Sequence, residues 1–351
     1  MEQDNPYSVN KFCNPSTKKP FSFEENGFDF IRYFAAFSVM LLHYTGYSLI
    51  FCDSATVFMR VLRYIVNFFP GVVVLFSLSG FLISASAERS HSRREFFRKR
   101  VLRMYPELWG CTFVNFIVIL CLASPVNWSE ITVWLCTQFI GIANTPSSLK
   151  SFATGSLNGA LWTIFTEIQL YILLGFLAPL LKKLSLTGWG IILTLAGICN
   201  LICYYCSLNF DTDSFLNKLI ERSFLPYAIW FFTGAFLYYH INVLIRLQKY
   251  IYPLLIGYLV LQVLPVSLPG YYTNIAVSLL CPVLTILTGY QLPPKRLPVD
   301  LSYGLFLYHW IILNIIVYFD IWNRIHWFFS LLLFLSGTLF LAWISRLINH
   351  H

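Results

Sequence analysis

The sequence predicts an all-α, polytopic transmembrane helical bundle, and three observations lead there. Hydrophobic residues make up 57% of the chain and charged residues only 11%, with a mean hydropathy of +0.65, a composition outside the range of soluble domains. Apolar runs recur at the length of about 20 residues that a bilayer core demands. These runs are continuous, without the short alternating segments of a β-barrel. Because backbone polar groups in lipid must pair within the segment, helices are the form expected.

Ten spans are expected, near residues 28–51, 61–87, 106–123, 159–181, 187–206, 224–245, 250–267, 271–290, 301–319 and 327–345, and the distribution of charge orients them. With the N-terminus cytoplasmic, the inner loops hold Lys11, Lys18, Lys19, the basic residues from Arg89 to Arg103, Lys182, Lys183, Arg246, Lys249, Lys295, Arg296 and Arg346. Arg60, Arg63, Lys150, Lys218, Arg222 and Arg324 fall outside. That asymmetry obeys the positive-inside rule and predicts both termini in the cytoplasm. The net charge of +8 then faces anionic lipid or anionic metabolites, and nucleic acid is not an expected partner. One membrane domain is expected over residues 28–346. It lies between a polar tail over 1–27, which lacks the order of a cleaved signal peptide, and a short tail over 347–351.

Along the chain, the first span (FDFIRYFAAFSVMLLHYTGYSLIF) carries Arg32 and His43. Eleven residues at about 100° each come within ~20° of whole turns, so both side chains share one face about 16 Å apart. Ionisable groups at membrane depth cost free energy, which makes this stripe a functional candidate. In the second span, Pro70 and Gly71 predict a kink or break that opens a vestibule on the outer side, and Gly80 with Ser84 reads as close helix packing. The loop that follows packs Arg89, Arg93, Arg94, Arg98, Lys99, Arg100 and Arg103 ahead of Tyr105 and Pro106, where the third span begins. It is either a topology anchor or an anion site, and Arg100 and Arg103, three apart on one helix face, suit phosphates. Residues 124–158, with the short apolar piece ITVWLCTQFIGIAN, are expected to be re-entrant or interfacial.

The fourth span holds Glu167, the one carboxylate well inside it, and the ninth holds His309 ahead of Trp310. Nine cysteines, odd in number and scattered through apolar segments, imply no disulfide framework, and the CYYC of Cys203 and Cys206 has no second ligand pair to make a metal site. His43 is the best-placed general base, since a neutral imidazole at this depth can accept a proton. Glu167 either orients His43 or pairs with Arg32. Arg32 either binds an anion or snorkels to the inner interface, and His309 is a candidate for lining the acceptor path. A transporter or flippase of a lipid-linked glycan, using Arg32, His43 and Glu167 as a relay, is the competing class, but no internal duplication of the helix pattern supports it.

Five blocks in order resemble the acyltransferase-3 family of integral membrane acyltransferases. They are the Arg32-to-His43 spacing, LFSLSGFLIS (75 to 84), RVLRMYP (100 to 106), LNGALWTIFTEIQLYIL (157 to 173) and LSYGLFLYHWIIL (301 to 313). The resemblance implies a ten-helix domain in the bacterial cytoplasmic (inner) membrane. It would move an acyl group, usually acetyl, from cytoplasmic acetyl-CoA to a hydroxyl of a glycan or glycolipid such as lipopolysaccharide O-antigen or exopolysaccharide. Acetyl-CoA is then a cosubstrate, no metal is implied, and polysaccharide-assembly proteins are candidate partners. By this resemblance His43 stands for the family's essential histidine and Arg32 for its paired arginine. Arg100 and Arg103 form the Arg-x-x-Arg element, Ser79 and Gly80 the Ser-Gly element, and Thr163 and Glu167 the hydroxyl-x3-Glu element. Arg98, Tyr105, Trp162 and His309, in or beside the same blocks, complete the candidate substrate-binding set. Thr163 stands where serine is frequent and keeps a hydroxyl, whereas Ile168 stands where many members have a second glutamate, which weakens any mechanism built on two carboxylates.

Overall fold

The computed structural model describes residues 26–52, 56–123, 125–211, 214–264, 268–294, 297 and 299–349. Lys11, Lys18, Lys19, Lys295 and Arg296, used above to orient the chain, lie outside the described residues, as does nearly all of the N-terminal tail. Among the described residues every regular element is helical. They are α1 (Phe28–Phe51), α2 (Val57–Asn67), α3 (Gly71–Glu88), α4 (Arg93–Leu122), α5 (Trp128–Ile140), α6 (Leu161–Leu181), α7 (Leu186–Asn209), α8 (Phe215–Arg222), α9 (Ala228–Tyr239), α10 (Ile241–Gln248), α11 (Ile251–Val263), α12 (Ile275–Gln291), α13 (Ser302–Tyr318), α14 (Ile321–Arg324) and α15 (Trp327–Asn349).

Of the ten expected spans, six or seven are matched among the described residues by helices of spanning length and composition. Six described segments are long and apolar enough to cross a membrane: α1, α2 with α3 as one span, α4, α6, α7 and α15. A seventh is the pair α9 and α10 with the preceding turn, bent by 92°. Helices α11, α12 and α13 have 13, 17 and 17 residues, about 20 to 25 Å at 1.5 Å per residue and short of a core about 30 Å thick. The sequence places apolar residues continuously through these stretches, but α12 and α13 are largely buried by other helices. A helix surrounded by protein need not match the thickness of lipid.

Pro70 and Gly71 break the second predicted span as expected: α2 stops at Asn67 and α3 starts at Gly71. The basic stretch, expected as a loop, is helical instead. Helix α4 begins at Arg93 and runs through Pro106. The Ser92 hydroxyl accepts from the Glu95 amide (3.2 Å), and the Glu95 carboxylate accepts from the His91 amide (2.8 Å). That variant of a capping box starts the helix three turns before the proline. Pro106 is accommodated because tertiary packing holds the helix on either side of the missing N–H.

The core is closed by the crossing of α3 and α9 at two glycines. A Cβ built on Gly80 would lie 1.9 Å from the Phe231 carbonyl oxygen, and one on Gly234 would lie 2.0 Å from that of Ser77. Only hydrogen fits at either position, which is the small-residue packing read from the sequence. Ser84 turns its hydroxyl back onto the Gly80 carbonyl (2.8 Å).

Residues 124–158 fold against the bundle. Helix α5 runs back along α4, with the Trp109 indole donating to the Phe139 carbonyl (3.1 Å), and it is too short to cross a membrane. The chain then returns, since the Ser148 amide and hydroxyl both donate to Glu130 at the start of α5 (2.9 Å each). It descends again along α13. Asn314 receives Thr154 (2.7 Å) and donates to the Ser156 carbonyl (3.0 Å), Trp310 donates to the same carbonyl (2.9 Å), and Asn158 donates to Leu307 (3.2 Å). Leu307, Trp310 and Asn314 share one helical face, so this descending segment is fastened along it as far as the middle of the bundle.

Candidate functional site

Helices α1 and α13 bring two imidazoles together in the interior. His43 Nδ1 lies 2.9 Å from His309 Nε2, with the ring planes within 4° of each other. His309 is fully buried, and its Nδ1 lies 2.8 Å from the Phe306 carbonyl. A carbonyl only accepts, so that nitrogen carries the proton. In a neutral ring the other nitrogen, Nε2, is then an acceptor. It receives the proton on His43 Nδ1, which leaves a lone pair on His43 Nε2. The hydrogen-bond network thus assigns both tautomers. The edge of Trp310 stands 4.7 Å from the His43 ring, and Gly159 lies flat against Trp310, where a Cβ would come within 2.3 Å of the indole. The descending segment therefore holds Trp310 over the pair.

Toward the end of the bundle that carries Arg100 and Arg103, a cavity of about 110 Å³ is lined by Arg32, Ser79, Arg103, Thr163 and Glu167 among others, and by Phe306. Five sequence-predicted residues from four separate helices therefore meet in one place. Glu167 accepts from Ser79 (2.6 Å) and from Tyr171 one turn on, and Tyr171 also lines the cavity. Thr163 returns its hydroxyl to the Ala160 carbonyl (2.8 Å). Phe306 connects the cavity to the histidines: its carbonyl holds His309, and its ring centroid lies 6.1 Å from that of His309.

Of the two roles left open for Glu167, orientation of His43 is not what the contacts provide, because the ring bonded to His43 is His309 and Glu167 is occupied by two hydroxyls. Nor does Glu167 pair with Arg32. Arg32 forms ion pairs with Asp29 (2.9 Å) and Asp300 (2.7 Å), while Tyr33 bridges to the Val299 carbonyl (2.9 Å) and the Leu301 amide (2.8 Å). These contacts fasten the start of α1 to the start of α13 and so set the register in which His43 meets His309. Burial pushes the Asp300 carboxyl up, but the Arg32 guanidinium and the Ser302 hydroxyl and amide outweigh it and hold the group below its ordinary range.

The basic residues of α4 separate by partner. Lys99 is paired with Glu95 (2.6 Å), and Arg93 stacks over Phe176 (5.5 Å). Arg100 donates to Ser86 (3.3 Å), and its Nε is buried with no partner among the described residues. Arg103 lines the cavity and forms no ion pair among the described residues. Arg98 is exposed and outside the cavity. Tyr105 and Trp162 are also outside it: Tyr105 packs on Trp109 (5.6 Å), and Trp162 stacks against Tyr227 (4.9 Å) and Tyr272 (6.2 Å). Sequence reasoning missed Asp300, Tyr171 and Asn314. Tyr171 had a signal, since it stands one helical turn from Glu167. The other two are legible only through contacts distant in the chain.

No solved structure matches this chain. Over 325 residues, covering 83% of this chain and 84% of the relative, it is 26% identical to nodulation protein 10 of Rhizobium leguminosarum bv. viciae. Over 117 residues, 32% of this chain and 35% of the relative, it is 32% identical to the O-acetyl transferase of Shigella phage Sf6. The family model described as an acyltransferase domain matches residues 25–347. With nearly the whole chain inside that match, the protein belongs to the acyltransferase-3 family of membrane O-acyltransferases.

Proposed function

We propose that the chain transfers an acetyl group from cytoplasmic acetyl-CoA to a hydroxyl of a cell-surface polysaccharide or its glycolipid precursor in the bacterial inner membrane. The observation that carries this reading is the His43 and His309 pair, joined through Phe306 to a cavity lined by Arg103, which forms no ion pair among the described residues. Acyl transfer from a thioester to an alcohol needs a base, a site shielded from water and an anchor for the donor. His43 Nε2 takes the proton of the acceptor hydroxyl, and the oxygen attacks the thioester carbonyl. The tetrahedral intermediate then expels the CoA thiolate, which recovers the proton from His43. His309 holds the tautomer that makes Nε2 basic and accepts a stronger hydrogen bond from His43 once that ring is an imidazolium. Arg100 and Arg103 meet the phosphates of CoA, and Ser79, Thr163 and the Glu167 cluster line the path of the pantetheine arm. The carboxylates of Asp29 and Asp300 already neutralise Arg32, so its part is to fix α1 at the cavity wall.

The membership of an acyltransferase family removes the transporter reading. The test follows free thiol release from acetyl-CoA by purified protein in liposomes, with a panel of bacterial glycans and glycolipids and a His43→Ala control. Release that requires both an acceptor and His43 is the expected result. Acetyl-CoA failing to bind folded protein would sink the proposal.

A further inference from the structure

At the end of the bundle opposite Arg100 and Arg103 lies a second cavity, of about 480 Å³, bordered by Leu42, Arg60, Arg63, Tyr64, Gln262 and Tyr272. Its construction begins with α2. At 100° per residue, Val57, Val61 and Ile65 occupy one arc of that helix, and Arg63, Asn67, Arg60 and Tyr64 the arc beside it. The first three are exposed apolar side chains suited to lipid, while all four of the second group line the cavity. Two arginines at this end run against the charge bias of membrane proteins, and among the described residues neither forms an ion pair. Among the described residues no carboxylate lines the cavity. The remaining polar lining consists of hydroxyls and amides, from Tyr64, Asn67, Gln262, Tyr272 and Thr273.

The cavity borders Leu42, the residue before the proposed base. Arg63 donates to the Leu42 carbonyl (3.0 Å), and its guanidinium lies against Gly46, where a Cβ would come within 2.4 Å of Nη1. Gly46 is three residues beyond His43 and on the same helical face, so the cation sits about one turn above the imidazole. Tyr272 is held at a φ of 67°, a left-handed backbone that is unfavourable for an aromatic residue. Its ring is fixed there by Trp162 and Trp230 (6.2 and 5.6 Å), which presents it to the cavity. Aromatic, amide and hydroxyl groups beside guanidinium forks that have no ion-pair partner among the described residues suit a sugar that carries an anion.

We propose that this cavity is the acceptor site and that Arg60 and Arg63 hold an anionic group, phosphate or carboxylate, borne by the glycan that is acylated. The proposal rests on the acyltransferase reading above. Full-length protein in zwitterionic nanodiscs would be titrated with three probes: a short-chain prenyl-diphosphate disaccharide, a uronic-acid disaccharide and a neutral disaccharide. Acetyl-CoA binding would be measured on the same samples. One anionic probe should bind at least about tenfold more tightly than the neutral one, the worth of a charge-assisted contact, and which of the two does so names the source of the anion. Arg60→Gln should remove about that preference and leave acetyl-CoA binding unchanged. Arg63→Lys, which keeps a donor for Leu42, should weaken the same probe without affecting the neutral one. Equal binding of all three probes overturns the proposal. So does an unaffected Arg60→Gln, or no anionic probe binding to protein that binds acetyl-CoA. Failure to bind acetyl-CoA in folded protein instead overturns the acyltransferase reading, and this proposal with it.

Discussion

Replacing His309 with Phe tests the heart of the proposed chemistry. The change keeps an aromatic ring in a fully buried position but removes the nitrogen 2.9 Å from His43 Nδ1. In the ground state that hydrogen bond joins two neutral rings and contributes about 1 kcal/mol. In the transition state His43 carries positive charge, and the bond rises to the ~1.5–3 kcal/mol of a charge-assisted contact. Removing it raises the barrier by the difference, about 0.5–2 kcal/mol, so the chemical step should slow by about 2- to 30-fold. The assay is steady-state thiol release, with kcat and KM for acetyl-CoA determined separately. We expect kcat to carry the loss and KM to stay within about twofold, because His309 does not line the donor cavity. His309→Gln, whose amide oxygen can accept from His43, should recover part of the rate. The His43→Ala variant should lose about 10²–10⁴, and adding His309→Phe to it should cost little more, since groups acting as one unit are not additive. Wild-type kcat in folded His309→Phe, or independent multiplication of the two losses, would refute the pairing.

Arg103→Ala should raise KM for acetyl-CoA by about tenfold, whereas Arg98→Ala, exposed and outside the cavity, should change it by less than about twofold; the same thiol assay separates them. Gly80→Ala forces α3 away from the Phe231 carbonyl and should destabilise the protein by about 1–3 kcal/mol or more, read as a lowered unfolding midpoint in detergent. Asp300→Asn breaks the tie between α1 and α13. The Asp300 carboxyl is held below its ordinary value when folded. Its contribution is therefore present above the unfolded value of about 4 and fades as pH falls through the folded one. The melting temperature of Asp300→Asn should accordingly lie below wild type near pH 7, and the gap should close on acidification.

Composition and pattern already carry the all-helical membrane fold, the family blocks and five of the residues that line the cavity beside Arg103. Arg32, Ser79, Arg103, Thr163 and Glu167, named from the sequence, do converge on one cavity, because each sits in a block whose helical register is set locally. Less legible were the helix lengths. Apolar continuity over 250–319 reads as three full spans, yet burial by neighbouring helices allows α12 and α13 to be shorter. The start of α4 was readable in principle from Ser92 and Glu95, and the proline three turns later obscured it.

What the chain order could not supply is which polar groups face each other. An isolated helix determines that Arg32 and His43 share a face, since that depends only on 3.6 residues per turn. It does not determine that Arg32 ends on Asp300, that His43 meets His309, or that Glu167 is occupied by Ser79 and Tyr171. Those partners depend on the crossing of α1 with α13 and of α3 with α6, in a bundle whose core is closed by the contact of α3 with α9, Gly80 against Phe231 and Gly234 against Ser77. Local propensity and hydropathy are properties of neighbouring residues. The hydrogen bond between two imidazoles 266 positions apart is a property of how the helices pack.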